Sequence, residues 1–177
     1  MVLKCVCKYF VVLLLLGASA CHDNAGKGQV LERLGFVNDY ASVFTREEAA
    51  ALTDILAAYE KETCHQVLVL TVSSLQGESL VDFSMRTATA WEIGQSTLQN
   101  GVLITIAIQE GGVRMEAGSG LDFLVKEGRG EQILNEEMVP LFREERMVEG
   151  IRSGVIAVMD IARRKTYPEN HRPTVCL

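Results

Sequence analysis

Basic side chains are in deficit along this 177-residue chain, with 17 lysines and arginines against 23 aspartates and glutamates. Phosphate backbones are bound by clustered lysine and arginine, so this balance excludes nucleic acid as a partner and offers anionic lipid no broad basic patch. Histidine is scarcer still. His22, His65 and His171 form no spaced pair for a metal, and Ser73, Ser74 and Ser119 have no base placed beside them in sequence. Cysteine is too sparse for a disulfide framework, since Cys5 and Cys7 sit in the first few residues and only Cys64 and Cys176 remain after Cys21. These two could pair, and a structural or inert role is expected for both. No apolar run approaches the ~20 residues that a membrane-spanning helix needs.

The apolar run that is present is short and has a direction. Lys4 and Lys8 precede the stretch from Tyr9 to Leu16, and Gly17, Ala18, Ser19, Ala20 and Cys21 follow it. A basic start, a short apolar helix and small residues at a cleavage point are the order of a signal peptide, expected over residues 1–20. The cysteine directly after the small residues resembles the acceptor of a bacterial lipobox, with Ala18 where leucine is usual. The expectation is therefore an exported chain tethered to a membrane by a lipid on Cys21; ordinary cleavage after Ala20 is the alternative. Loss of residues 1–20 removes Lys4 and Lys8 and no acid, leaving 15 of the 17 basic residues against all 23 acidic ones.

Residues 21–35 are polar and glycine-containing and read as a tether, residues 36–166 as one domain, and residues 167–177 as a tail. Within the domain, Thr45 with Glu48 three residues on is a capping box, and Leu52, Ile55, Leu56 and Tyr59 recur at helical spacing, predicting a helix to about Glu62. Gln66 to Ser73 is a β-branched apolar run, a buried strand. A second helix is expected from Ser79 to about Glu92. Val102 to Ile108 and Val113 to Ala117 are strands joined by Gln109-Glu110-Gly111-Gly112 as a hairpin. Gly130 to Val139 and Glu144 to Lys165 read as two further helices, with Pro140, Gly150 and Gly154 as their weak points. This order predicts an α/β fold, a three-layer α/β/α sandwich around a small mixed central sheet.

Val37-Asn38-Asp39-Tyr40-Ala41, Ser73-Ser74-Leu75 with Gly77, Trp91 with Gly94, Asn100-Gly101-Val102-Leu103, Gly118-Ser119-Gly120-Leu121, Pro140-Leu141-Phe142 and Gly150-Ile151 stand in an order and spacing that resembles the TPM domain family over about Phe36 to Arg164. The resemblance implies an α/β/α sandwich in a cell-envelope setting. It also implies a site for calcium or magnesium, for which Asp39, Asn100, Asp122 and Glu127 are the candidates, since hard cations take oxygen ligands. Three positions depart from the family's pattern: Gln99 precedes Asn100 where aspartate is common, Lys126-Glu127 stands near another usual aspartate, and Glu145-Arg146-Met147 replaces Gly-Asp-Tyr. Gly118 and Gly120 are a candidate binding loop, offering either a close backbone crossing or an anion nest. Arg114 and Arg129 could contact phosphate, but each reads first as a solvated charge. Trp91 reads as a core or groove anchor. Two functions follow from the resemblance. The first is a non-enzymatic binding or assembly and maintenance accessory, held at the membrane by its lipid and working with another envelope protein; the second is a metal-dependent phosphatase.

Overall fold

The structure, a computed structural model, describes residues 28–164. The signal peptide, Cys21, the first part of the tether and the tail expected at 167–177 lie outside the described residues. Among the described residues four strands form one sheet in the order β1-β2-β3-β4: β1 (Val37–Asp39), β2 (Gln66–Val72), β3 (Gly101–Ala107) and β4 (Gly112–Ala117). The first three run parallel and β4 returns antiparallel through the hairpin. The mixed sheet expected from the sequence is therefore present. β1 is an addition to it, since three residues are too few to show a period of two.

Both faces of the sheet are covered, which explains why β2 and β3 read as continuous apolar runs. On one face α1 (Arg46–Thr63) and α6 (Met147–Ala162) pack over Val67, Val69, Val102, Ile104 and Ile106, with Leu52, Leu56, Ile151, Val155 and Val158 fully or nearly buried. On the other, α2 (Leu80–Ala90) lies over Leu68, Leu70, Leu103 and Ala107 through Phe83, with Trp91 just beyond its end. The capping box at Thr45 forms in both directions. Among the described residues no helix is long and apolar enough to cross a membrane.

The region after β4 is more helical than its sequence reading. A 3-10 turn (Ser119–Leu121) leads into α3 (Phe123–Lys126), and the helix expected over 130–139 lies within a longer helical run that passes without a gap from α4 (Arg129–Ile133) through a π turn (Leu134–Met138) into α5 (Val139–Arg143). Pro140 sits in the first turn of α5, directly after the π turn. Glu145 takes a positive φ of 61°, so α6 begins at Met147 rather than Glu144. Gly150 and Gly154 do not weaken α6. They form notches: a Cβ at Gly154 would stand 2.4 Å from the Met138 side chain, and one at Gly150 would stand 2.7 Å from the Phe142 ring.

The docked chain also begins earlier than the tether reading placed it. Trp91 Nε1 donates to the Leu31 carbonyl at 2.7 Å, an Arg86 guanidinium nitrogen to the Gln29 carbonyl at 2.8 Å, and the Tyr40 hydroxyl to the Glu32 carbonyl at 2.7 Å. Residues 29–35 are thus laid against the α2 layer, with Leu31 packed on its apolar cluster. Asn38, wholly buried, closes the entry: its Oδ1 accepts from the Leu34 and Gly35 amides and its Nδ2 donates to the Val69 carbonyl.

Candidate functional site

The strand register separates the candidate ligands. Asp39 pairs with Thr71 near the C-terminal end of β2, whereas Asn100 immediately precedes Gly101, which pairs with Gln66 at the N-terminal end. Gln66 and Thr71 are five residue steps apart along β2, about 17 Å at 3.3 Å per residue. Asp39 and Asn100 therefore stand at opposite ends of the sheet rather than at one shared edge.

Each of these side chains has a local task. Asp39 Oδ1 accepts from the Val43 amide at 3.0 Å and from the Thr71 hydroxyl, and Oδ2 accepts from the Phe44 amide at 2.9 Å. The carboxylate orders the turn that leads into α1. Asn100 is fully buried; its Oδ1 accepts from the Gln95 amide at 2.8 Å and its Nδ2 donates to the Cys64 carbonyl. Asp122 is ion-paired to Lys126 at 2.7 Å, and Glu127 to Arg129 at 3.0 Å on the surface. Oxygens already engaged by amides and cations at separated positions do not make one coordination shell, and among the described residues no three or more of histidine, cysteine, aspartate and glutamate cluster. We expect Asp39→Asn to cost about 1–2 kcal/mol of stability, because one amide loses its acceptor, and to do so equally with and without calcium in a denaturant titration.

Gly118 and Gly120 meet Asn100's end of the sheet. Their amides donate to the Gly101 and Gln99 carbonyls, both at 2.9 Å, so these N–H groups are spent within the fold. A Cβ at Gly120 would lie 2.0 Å from the Leu98 carbonyl oxygen, and one at Gly118 would lie 2.2 Å from that of Gln99. Of the two roles weighed for this loop, the close backbone crossing is the one observed. Gly94 makes a similar crossing from the other side, with φ at 91° and its hydrogen facing the Gly101 amide.

These crossings wall a cleft of about 580 Å³ between the C-terminal half of α2, residues 92–99 and the β3–β4 ladder. Met85, Ala88, Ile93 and Leu103 make its apolar lining, and Glu92 and Glu116 are its charged groups. Glu92 is held there by a left-handed backbone at φ 47° just past the end of α2. Glu116 points to the α2 face by strand alternation and pairs with Arg114 at 2.7 Å. Arg114 is thus an ion-pair partner, as Arg129 is to Glu127. The sequence reading found Gly118 and Gln99, which line the cleft, but passed over Glu92 and Glu116. Period-two alternation in β4 would have put Glu116 on the face opposite Met115; no pattern in the sequence announces the backbone at Glu92.

Other singled-out groups are structural. His65 is buried, its Nδ1 3.2 Å from the Tyr59 hydroxyl, which in turn donates to the Met159 carbonyl. Cys64 caps the end of α1 in a left-handed conformation and is disulfide-bonded; every other cysteine of the chain lies outside the described residues. Arg146 bonds Glu149 first and Glu144 second. Those contacts raise its pKa further, and the guanidinium lowers that of Glu149.

Compared with known proteins, a family profile described as the TPM domain matches residues 37–161. No curated protein matches the chain. Among solved structures, the N-terminal domain of a P. gingivalis protein is similar with a TM-score of 0.67 at 25% identity, covering 76% of this chain and 88% of that one. The BA42 protein of the psychrophilic bacterium Bizionia argentinensis is similar with a TM-score of 0.60 at 22% identity, over 71% of this chain and 84% of that one. The N-terminal domain of a Corynebacterium glutamicum protein reaches 0.59 at 12% identity, over 79% and 90%. At the two lower identities the likeness is one of fold alone.

Proposed function

The chain belongs to the TPM domain family, and from that premise we propose that it is an exported, lipid-anchored member serving as a non-enzymatic binding or assembly accessory of the cell envelope. Its partner-receiving site is the cleft between α2 and the β3–β4 ladder. The observation that carries this reading is the composition of that cleft, an apolar lining with Glu92 and Glu116 as its charged side chains. Phosphoryl transfer needs positive charge on the developing oxyanion. The described residues lining the cleft include no cation, and with Glu116 paired to Arg114 it is Glu92 that repels a phosphate dianion and suits an amphipathic or cationic group presented by another protein. Export and the anchor on Cys21 rest on the order of residues 1–21.

The alternative, a metal-dependent phosphatase, is separated by one assay. Phosphate release from a generic phosphomonoester by the purified full chain is expected to stay at the level of a protein-free control with calcium, with magnesium and with chelator. Metal-dependent turnover lost in Glu92→Gln would replace the accessory reading with an enzyme at this same cleft. The anchor has its own check: in cells fed a clickable fatty acid, the wild-type chain should carry the label and Cys21→Ser should not. Equal labelling of both would remove the anchor from Cys21.

A further inference from the structure

β4 is an edge strand. It pairs with β3 on one side through six consecutive residues without a bulge, and among the described residues no strand lies on its other side. Open edges are usually blunted by shortness, proline, charged side chains of one sign, lysine above all, a bulge or a covering element. The opposite edge, β1, has three residues; β4 has six, with no proline, lysine or bulge, and its two charges, Arg114 and Glu116, are of opposite sign. Its sequence, Gly112-Val113-Arg114-Met115-Glu116-Ala117, alternates cleanly. Val113, Met115 and Ala117 join the larger core, while Arg114 and Glu116 lie together on the α2 face.

That hexapeptide is antisymmetric in charge about Met115. When two copies of an antiparallel strand pair about a central residue, each residue meets the one equally far on the other side of that centre. Arg114 then stands opposite Glu116 of the second copy, and Glu116 opposite Arg114 of the second copy. Val113 meets Ala117 in the same way, twice, and Met115 meets itself. Opposite charges directly across a strand pair are stabilising and like charges are not, so the strand is complementary to itself in this one register. The surroundings agree with a covered edge. Val81 and Met85, one turn apart on α2, are 42% and 52% exposed, and Met85 lines the cleft beside Glu116. Val125, on α3, is 42% exposed, and both helices pack on β4.

We infer that a second copy of this chain pairs with it through β4, antiparallel and centred on Met115, joining two four-stranded sheets into one of eight. The contact is isologous and closes at two copies. Because Glu116, Ala117 and Gly118 border the cleft, the second copy supplies a wall on its open side. The inference goes beyond the accessory role and does not depend on the lipid or on the nature of the envelope partner.

The test is sedimentation equilibrium of the purified full chain in mild detergent over a wide concentration range, with two charge variants. Wild type is expected to show a monomer–dimer equilibrium. Arg114→Glu makes both charged positions acidic and Glu116→Arg makes both basic, so each alone should dimerise with a Kd raised about tenfold or more, as two attractive cross-pairs become repulsive. An equimolar mixture of the two variants should recover dimer, since every cross-pair between the two different chains is again Arg against Glu. Neither variant regains its own intrachain pair on mixing, so recovery cannot come from a repaired monomer. A wild type that is monomeric throughout, a dimer whose Kd ignores both variants, or a mixture that fails to recover would each overturn the pairing; the first would leave the edge to a strand from another protein.

Discussion

Gly94→Ala is expected to lower unfolding stability by about 3–4 kcal/mol, a large share of the ~5–15 kcal/mol that holds a domain together. Two costs add at this position. The backbone φ of 91° lies in the region that side chains with a Cβ avoid, and the new methyl would sit 2.4 Å from the Gly101 amide nitrogen and 2.9 Å from its Cα. Neither atom can retreat, because Gly101 opens β3 and is locked in register with Gln66 of β2. Gly77→Ala separates the terms. Its φ is 80° with nothing within 4 Å of the added methyl, so it should show only the conformational share, about 1–2 kcal/mol. Urea midpoints of the two variants and wild type decide the matter; equal losses at both positions would mean that the crossing at Gly94 is not tight.

Asn100→Ala should cost about 3 kcal/mol, since it leaves the Gln95 amide and the Cys64 carbonyl without their partners in a buried setting. Asn100→Asp is the sharper variant. A carboxylate keeps the acceptor for Gln95 and loses the donor for Cys64, and it faces a carbonyl oxygen with a buried negative charge. If Asn100 is the brace described above, the aspartate variant melts well below wild type and added calcium does not restore it. If the residue is a cation ligand, the extra charge strengthens the site, and calcium raises the melting temperature of the variant more than that of wild type.

The layers of this domain were legible because α1, α2, β2 and β3 are each long enough to repeat their period and carry their own boundaries: the Thr45 and Glu48 box, Ser79 at the start of α2, and Asn100-Gly101 ahead of β3. What escaped was set by contacts distant in sequence. β1 exists because Asn38 and Asp39 bond to β2 thirty residues away. The π turn between α4 and α5 places Met138 over Gly154, far along the chain. The site was harder to read than the fold. Gly118 and Gly120 stood out by composition, and the structure brings them to Asn100 as a backbone crossing. Asp39 carried equal weight on paper, but the parallel register sends it to the far end of the sheet. Glu92 and Glu116, one on a left-handed residue and one on an edge strand, gain meaning only once α2 lies over β4.

The bond from the Trp91 indole to Leu31 has an experimental use. Trp91 is the chain's sole tryptophan, so intrinsic fluorescence reads one location: the seam where the incoming N-terminal segment lies on the α2 layer. A change in emission colour or lifetime that precedes the loss of far-ultraviolet ellipticity would therefore mark that segment peeling away from a domain still folded. The protein thus carries a native optical gauge of how firmly its leading segment is attached, and no label needs to be introduced to use it.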